Sequence, residues 1–266
     1  IKTVHMKLLL LGSNGQLGWE LQRSIAMLGK LKVCDRNTVD FFDLTGLRKL
    51  IRGYKPDVIV NAAAYTDVDK AESDEENAFH VNSKAVDLLA QEAKVLDAWL
   101  IHYSTDYVFD GTKMGAYIEE DKTNPLSIYG KTKLQGEEAI KKSKCKYLIF
   151  RTSWLYATHG KNFFKTIIKL AKERDELRVV SNQIGAPTSA ELVADVTSLC
   201  LYRIAHNSHS SKEISGIYHL TATEKSSWYD FAKYVIIEAQ KFGGVFLTNP
   251  ENIIAVNTSE YVLPAK

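Results

Sequence analysis

Met6-Lys7-Leu8-Leu9-Leu10-Leu11-Gly12-Ser13-Asn14-Gly15-Gln16-Leu17-Gly18 is the stretch that decides the fold. An apolar run of strand length that stops at a glycine reads as a buried strand. Gly15 to Leu28 carries apolar residues at helical spacing and is followed by Gly29. Glycines between a strand and a helix permit positive φ and let the backbone approach a pyrophosphate closely. The free N–H groups and the dipole of the helix start favour that anion. The spacing is GxxGxxG, not the commoner GxGxxG dinucleotide fingerprint. A tight strand-to-helix turn is the alternative, and the strand–turn–helix context favours a dinucleotide on Gly12, Gly15 and Gly18.

Outward from this turn the pattern alternates. Strands are predicted at Leu31–Cys34, Asp57–Ala63, Ala98–Tyr103 and Lys146–Phe150, and helices at Leu44–Ile51, Ala71–Leu96 and Leu126–Lys142. Apolar strands alternating with helices predict an α/β fold, a doubly wound parallel sheet (Rossmann-like) covered on both faces. Past Arg151 the rhythm is irregular. Helices are predicted at Asn162–Lys172, Ala190–Ile204 and Trp228–Lys241, with short apolar segments at Leu177–Val180 and Gly216–Leu220. The division expected is a dinucleotide-binding domain over 6–153 and a smaller C-terminal substrate-binding lobe over 154–266. His206–Lys212 reads as a polar surface loop. Met6 reads as the natural start, with Ile1–His5 an appended remnant.

Thirty-four Lys and Arg against 32 Asp and Glu leave a net charge of +2, which excludes nucleic-acid binding driven by bulk charge. No apolar run approaches the roughly 20 residues of a membrane span. Cys34, Cys145 and Cys200 are three, far apart, without a CxxC pair. That usage predicts a reducing, cytoplasmic setting without disulfides or zinc.

Asp35 and Arg36 close the second strand. An acidic residue there bonds the ribose hydroxyls of NAD, while an arginine accepts the 2′-phosphate of NADP. Both types are present, so NADH and NADPH stay equally open. Tyr129 and Lys133 stand four apart on a predicted helix and therefore share a face. A phenol of ordinary pKa near 10 is a poor acid at neutral pH, and a nearby ammonium is expected to lower it. Lys133 is also placed to bond a nicotinamide ribose. Lys131 is the rival partner, but i+2 points away. Thr105, with Ser104 and Asp106, lies where parallel sheets bind ligands, although such residues also simply cap loops.

With these segments on the page, the chain resembles the extended short-chain dehydrogenase/reductase superfamily, and within it the dTDP-4-dehydrorhamnose reductase family. The resemblance rests on Gly12–Gly18, Asn61–Glu72, Ser104–Gly111 and Tyr129–Lys133, then on Arg151–Tyr156 and Gln183–Thr188. It implies an NAD(P)H-dependent oxidoreductase that converts dTDP-4-dehydro-L-rhamnose to dTDP-L-rhamnose. Tyr129 would be the general acid, with Lys133 and Thr105 completing the catalytic set. Gly15, Gln16 and Leu17 would contact the pyrophosphate. Asp43 and Leu44 would lie by the adenine, and Ala62, Ala63, Ala64, Tyr65 and Thr66 along the cofactor. Thr105, Asp106 and Trp154 would face the sugar.

Plainer readings stand beside these: Trp154 as a packing residue, Asp43 as a helix cap, Arg151 as a structural ion-pair residue. Glu20 and Glu191 match two positions through which some relatives hold Mg2+ in a homodimer, against two solvated glutamates. Asn182 stands where an acidic residue is common. The family pattern continues past Lys266 through a basic segment, so either the tail is missing or the sugar site is incomplete. The alternatives for function are a reductase or epimerase of another nucleotide sugar, or a non-enzymic regulatory subunit of the same fold.

Overall fold

The computed structural model describes residues 6–206, 214–260 and 264; residues 1–5 and the expected loop beyond His206 lie outside them. The chain forms two compact units. The first runs through Thr152 and takes in Glu191–Leu220 and Pro264; the second holds Ser153–Ala190 and the stretch that begins at Thr221 and stops short of Pro264.

The first unit is built on β1 (Met6–Leu11), β2 (Gly29–Cys34), β3 (Val58–Asn61), β4 (Trp99–Thr105), β5 (Lys146–Thr152) and a late strand, Gly216–His219. These make one six-stranded sheet. From one edge the order is β2, β1, β3, β4, β5 and the late strand, and every pairing is parallel. The central strands are apolar because helices cover both faces: Leu8 to Leu11, Ile59, Val60, Leu100 and Ile101 are all fully buried. Chain order reverses between β1 and β3, and such a switch point opens a crevice beyond the carboxyl ends of the strands.

Around the sheet lie α1 (Gln16–Ile25), α2 (Leu44–Tyr54), α3 (Val68–Ala71), α4 (Glu75–Phe79), α5 (Ala85–Val95) and α6 (Ile128–Ser143). The continuous helix expected over Ala71–Leu96 is interrupted. A π-helical turn, His80–Lys84, separates α4 from α5. Asn82 sits in it, 1% exposed, and a Cβ on Gly136 of α6 would strike its carbonyl oxygen. Such bulges mark places where a helix is bent to present one residue. α2 is tied to α5 by Glu92, 2% exposed, which accepts from Arg52 Nε at 2.7 Å and Arg48 Nε at 2.9 Å.

The second unit has α7 (Phe163–Glu173), and three small strand pairs. They are β6 (Leu155–Tyr156) with β9 (Thr188–Ser189), β7 (Leu177–Val180) with β12 (Ile253–Val256), and β8 (Ile184–Gly185) with β11 (Ser226–Ser227). Its other helix is α9 (Trp228–Lys241), and Ile167, Ala171, Leu177, Val235, Ile236 and Ile253 form its core. The expected lobe was 154–266; this unit starts at Ser153 and does not run unbroken to the end. α8 (Ala190–His206) and the late strand, β10, return to the first unit. The reason is pairing and burial: β10 adds to β5, and Tyr103 on β4 meets Thr197 on α8 at 3.0 Å.

Candidate active site

Because the large sheet is parallel, the loops after β1, β2, β3 and β4 all leave its same edge. These loops carry most of the expected site residues. The turn after β1 is held down by its own backbone, with Gly12 and Ser13 N–H both donating to the Cys34 carbonyl, at 2.9 and 3.1 Å. The three glycines differ in what they do. Gly12 has φ +81, and a Cβ there would lie 2.6 Å from the Ala63 nitrogen. A Cβ on Gly18 would strike the Gly12 backbone. These two make room for protein. Gly15, the N-cap of α1, would meet nothing closer than 3.4 Å. Its missing side chain leaves the helix N-terminus open, which is the cradle a dinucleotide pyrophosphate needs.

Asp35 follows β2 and is spent on its own loop. It accepts from the N–H groups of Asn37 and Thr38, both at 3.0 Å, and from Asn14 Nδ2 at 2.7 Å. Hydrogen bonds from Thr38 foremost hold its carboxyl below the usual carboxylate range. Arg36 is exposed. Asp43 is the N-cap of α2, taking the Gly46 N–H at 2.9 Å, with Leu44 opening the helix. The capping reading of Asp43 is therefore what its side chain does here, and a role beside adenine is compatible with it.

Ala62 to Thr66 follow β3. Asn82 fastens this loop: its Oδ1 accepts from Tyr65 N–H at 2.9 Å, and its Nδ2 donates to the Tyr65 carbonyl at 3.1 Å and to Thr132 Oγ1 at 3.2 Å. The sequence reading missed Asn82. Its signal was a buried-face asparagine inside an apolar helical stretch, which needs partners. Tyr65 donates its hydroxyl to Asp74 at 2.9 Å, and burial first, then Asp74, pushes the phenol up to about 12.

Thr105 closes β4, 5% exposed. Its Oγ1 accepts from Tyr107 N–H at 3.2 Å and donates to Asp106 Oδ1 at 3.1 Å. It lies beside the Tyr129 side chain and favours its ionised form. Tyr129 and Lys133 do share a face of α6, but the ammonium does not lower the phenol as expected. Burial raises the Tyr129 pKa, with Thr105 opposing and Asp106 and Tyr107 adding to the rise. Lys133, 1% exposed, is turned instead to the Tyr103 carbonyl, 2.6 Å from Nζ. Burial pushes Lys133 down to about 8, with Glu137 opposing. The phenol is thus neutral at neutral pH, the protonation state from which it can donate.

Arg151 is the structural ion-pair residue the plainer reading describes. Its Nε and Nη2 meet Glu137 at 3.0 and 2.7 Å, and both side chains are buried. Glu20 and Glu191 converge, but on Arg23, at 3.7 and 3.6 Å. Among the described residues no cluster of three or more His, Cys, Asp and Glu is placed to hold a metal ion. Cys34, Cys145 and Cys200 are free thiols. No helix of the described residues is long and apolar enough to cross a membrane.

Trp154 belongs to the second unit. Its ring stacks on Trp228 with centroids 3.4 Å apart, and Trp228 Nε1 donates to Gln183 Oε1 at 3.2 Å. Gly185 lies against the indole so closely that a Cβ would overlap it. Trp154 has φ +45, a left-handed conformation uncommon for a bulky residue. Asn182 accepts from Thr258 N–H at 2.9 Å, a neutral contact in place of the acidic residue common in the family.

Sequence and structure comparisons give the family and agree on the fold. The family described as the RmlD substrate binding domain matches residues 6–266. The dTDP-4-dehydrorhamnose reductase of Escherichia coli (strain K12) is 48% identical over 265 residues, 98% of this chain and 87% of that one. That of Salmonella typhimurium is 48% identical over 264 residues, 98% of this chain and 86% of that one. The crystal structure of dTDP-4-dehydrorhamnose reductase from Bacillus anthracis in complex with NADP superposes with a TM-score of 0.88 at 32% identity, covering 99% of this chain and 88% of that one. Fold and site define a doubly wound α/β oxidoreductase. The chain belongs to the RmlD family.

Proposed function

We propose that this chain reduces the 4-keto group of dTDP-4-dehydro-L-rhamnose, giving dTDP-L-rhamnose, with Tyr129 as general acid. The observation that carries the reading is a neutral Tyr129 phenol brought beside Thr105 at the carboxyl edge of the sheet, with Lys133 one turn along the same helix. Identity of 48% to reductases of that name supports the substrate. The open helix start at Gly15 supports a dinucleotide, as does the NADP held by the Bacillus anthracis relative.

NAD(P)H, when bound, supplies the hydride that C4 receives. Gly15, Gln16 and Leu17 would hold its pyrophosphate, and the Ala62–Thr66 loop, braced by Asn82, would line it. Tyr129 keeps a proton on Oη until negative charge develops on the substrate oxygen, then gives it up there. Thr105 Oγ1 orients that phenol and shares the developing charge. Interactions that strengthen only as charge develops are the ones that lower a barrier. Lys133, one helical turn from the phenol, would bond the nicotinamide ribose. Asp106 would face the sugar.

The test is oxidation of NADH and NADPH by the purified chain with enzymatically generated dTDP-4-keto-L-rhamnose. Sugar-dependent oxidation supports the reading, and the two rates set the cofactor preference. Binding of a dinucleotide without oxidation would overturn it in favour of another nucleotide sugar or a non-enzymic role.

A further inference from the structure

Two buried polar side chains behind Lys133 have no part in the chemistry above. His102 on β4 is 0% exposed and Asn61 on β3 is 1% exposed. They are register partners across the sheet. Asn61 Oδ1 accepts from the Ala63 N–H at 3.2 Å, which fixes which way the amide faces. Its nitrogen then meets His102 Nδ1 at 3.1 Å. An amide nitrogen only donates, so Nδ1 is an acceptor and a neutral ring carries its one proton on Nε2. Burial, seconded by Lys133, holds this histidine neutral, its pKa well below the usual value. The Nε2–H therefore faces Lys133 Nζ, 3.4 Å away.

An ammonium has three donors and no acceptor, so it meets this N–H donor to donor. An amine has a lone pair, accepts from Nε2–H, and still donates to the Tyr103 carbonyl. We propose that His102 is a positioning residue that sets the protonation of Lys133, making the ammonium easier to deprotonate in the cofactor-free protein through a tautomer imposed by Asn61.

The other groups around Lys133 do not replace this control. Glu137, one turn further along α6, favours the ammonium, but its carboxylate is already paired with Arg151 from β5 at 2.7 Å. Tyr129, one turn back, is a neutral phenol, and Asn82 and Thr132 on the π turn and α6 carry no charge. The site consequently enters the cycle with Lys133 able to exchange a proton as acceptors arrive near it. This consequence rests on the role given to Lys133 above; the tautomer itself does not.

The experiment is NMR of the cofactor-free full chain labelled in histidine and lysine side chains. In the wild type, His102 should show Nε2 protonated and Nδ1 bare, without titrating between about pH 6 and 9, and Lys133 should titrate below the ordinary lysine value of about 10.4. His102→Gln offers an amide oxygen to the ammonium and should raise the Lys133 midpoint by about one unit or more. Asn61→Asp should move the ring proton to Nδ1, leave Nε2 as an acceptor, and raise the Lys133 midpoint too. The limb of the turnover pH profile assigned to Lys133 should move with it. A wild-type ring protonated on Nδ1 would overturn the proposal, as would an unmoved Lys133 midpoint in a folded His102→Gln protein. If that variant does not fold, the wild-type tautomer and Asn61→Asp decide. A shifted midpoint in a chain that turns over no 4-keto sugar would sink the reductase reading and leave this inference standing.

Discussion

Lys133 Nζ lies 2.6 Å from the Tyr103 carbonyl oxygen, so the ammonium is anchored to the strand beneath the site rather than to the phenol one turn away. It is a cation placed in a fully buried position for a purpose other than stability. Burial pushes its pKa down to about 8. The unfolded chain, with lysine near 10.4, binds more protons between those values, so this group adds stability as pH rises through that window and costs it below. Lys133→Met should therefore be at least as stable as the wild type at pH 7, by on the order of 1–3 kcal/mol after the lost carbonyl bond is counted. Denaturant unfolding at pH 7 checks this. The same variant should lose most turnover.

Tyr129→Phe removes the proton donor and leaves the ring. Its turnover should fall by about 10²–10⁴, the usual worth of a general acid. Dinucleotide affinity should change by no more than about threefold, since the phenyl ring keeps its packing, T-shaped against Tyr107. Steady-state kinetics together with a dinucleotide titration check both halves. Near-normal turnover would remove Tyr129 from the mechanism.

The glycines after β1 separate folding from binding. Gly15→Ala meets only an ordinary contact at 3.4 Å, so its unfolding free energy should stay within about 1 kcal/mol of wild type. Its dinucleotide affinity should fall at least about tenfold, because the new methyl fills the cradle. Gly18→Ala must displace the Gly12 backbone and should cost about 2–4 kcal/mol. Thermal unfolding and dinucleotide titration of the two variants give opposite rankings if this assignment is right.

Glu92 sets an acid limit on the fold. Hydrogen bonds from Arg52 and Arg48 outweigh its burial and lower its pKa. A lowered folded pKa means stability that is complete above the unfolded value of about 4.3 and disappears as pH falls through the folded one. Glu92→Gln should therefore be less stable near neutral pH and show a flatter loss of stability below about pH 4.3. Urea unfolding across that range is the check.

Most of the scaffold was legible because its cause is local. Leu8 to Leu11 reads as a strand buried on both faces, and it is one. The apolar runs at Val58–Val60 and Trp99–Ile101 follow the same rule. The broken helix was not legible, because Ala71 to Leu96 has no proline and reads as one amphipathic run. What breaks it is Asn82, drawn to the Tyr65 backbone and crowded by Gly136 from α6, contacts between segments 17 and 50 residues apart or more. Likewise nothing in the irregular pattern past Arg151 says that Gly216–His219 returns to pair with β5.

By itself the sequence determined the parallel sheet, the glycine turn at its switch point, and a tyrosine and a lysine on one helical face. Periodicity and spacing carry those facts. Only the tertiary structure decided which atoms these side chains face. It turned Lys133 from the phenol to the Tyr103 carbonyl and His102, paired Arg151 with Glu137, and stacked Trp154 on Trp228. Protonation and partner choice depend on burial and on groups brought from distant strands, and a linear pattern does not encode either.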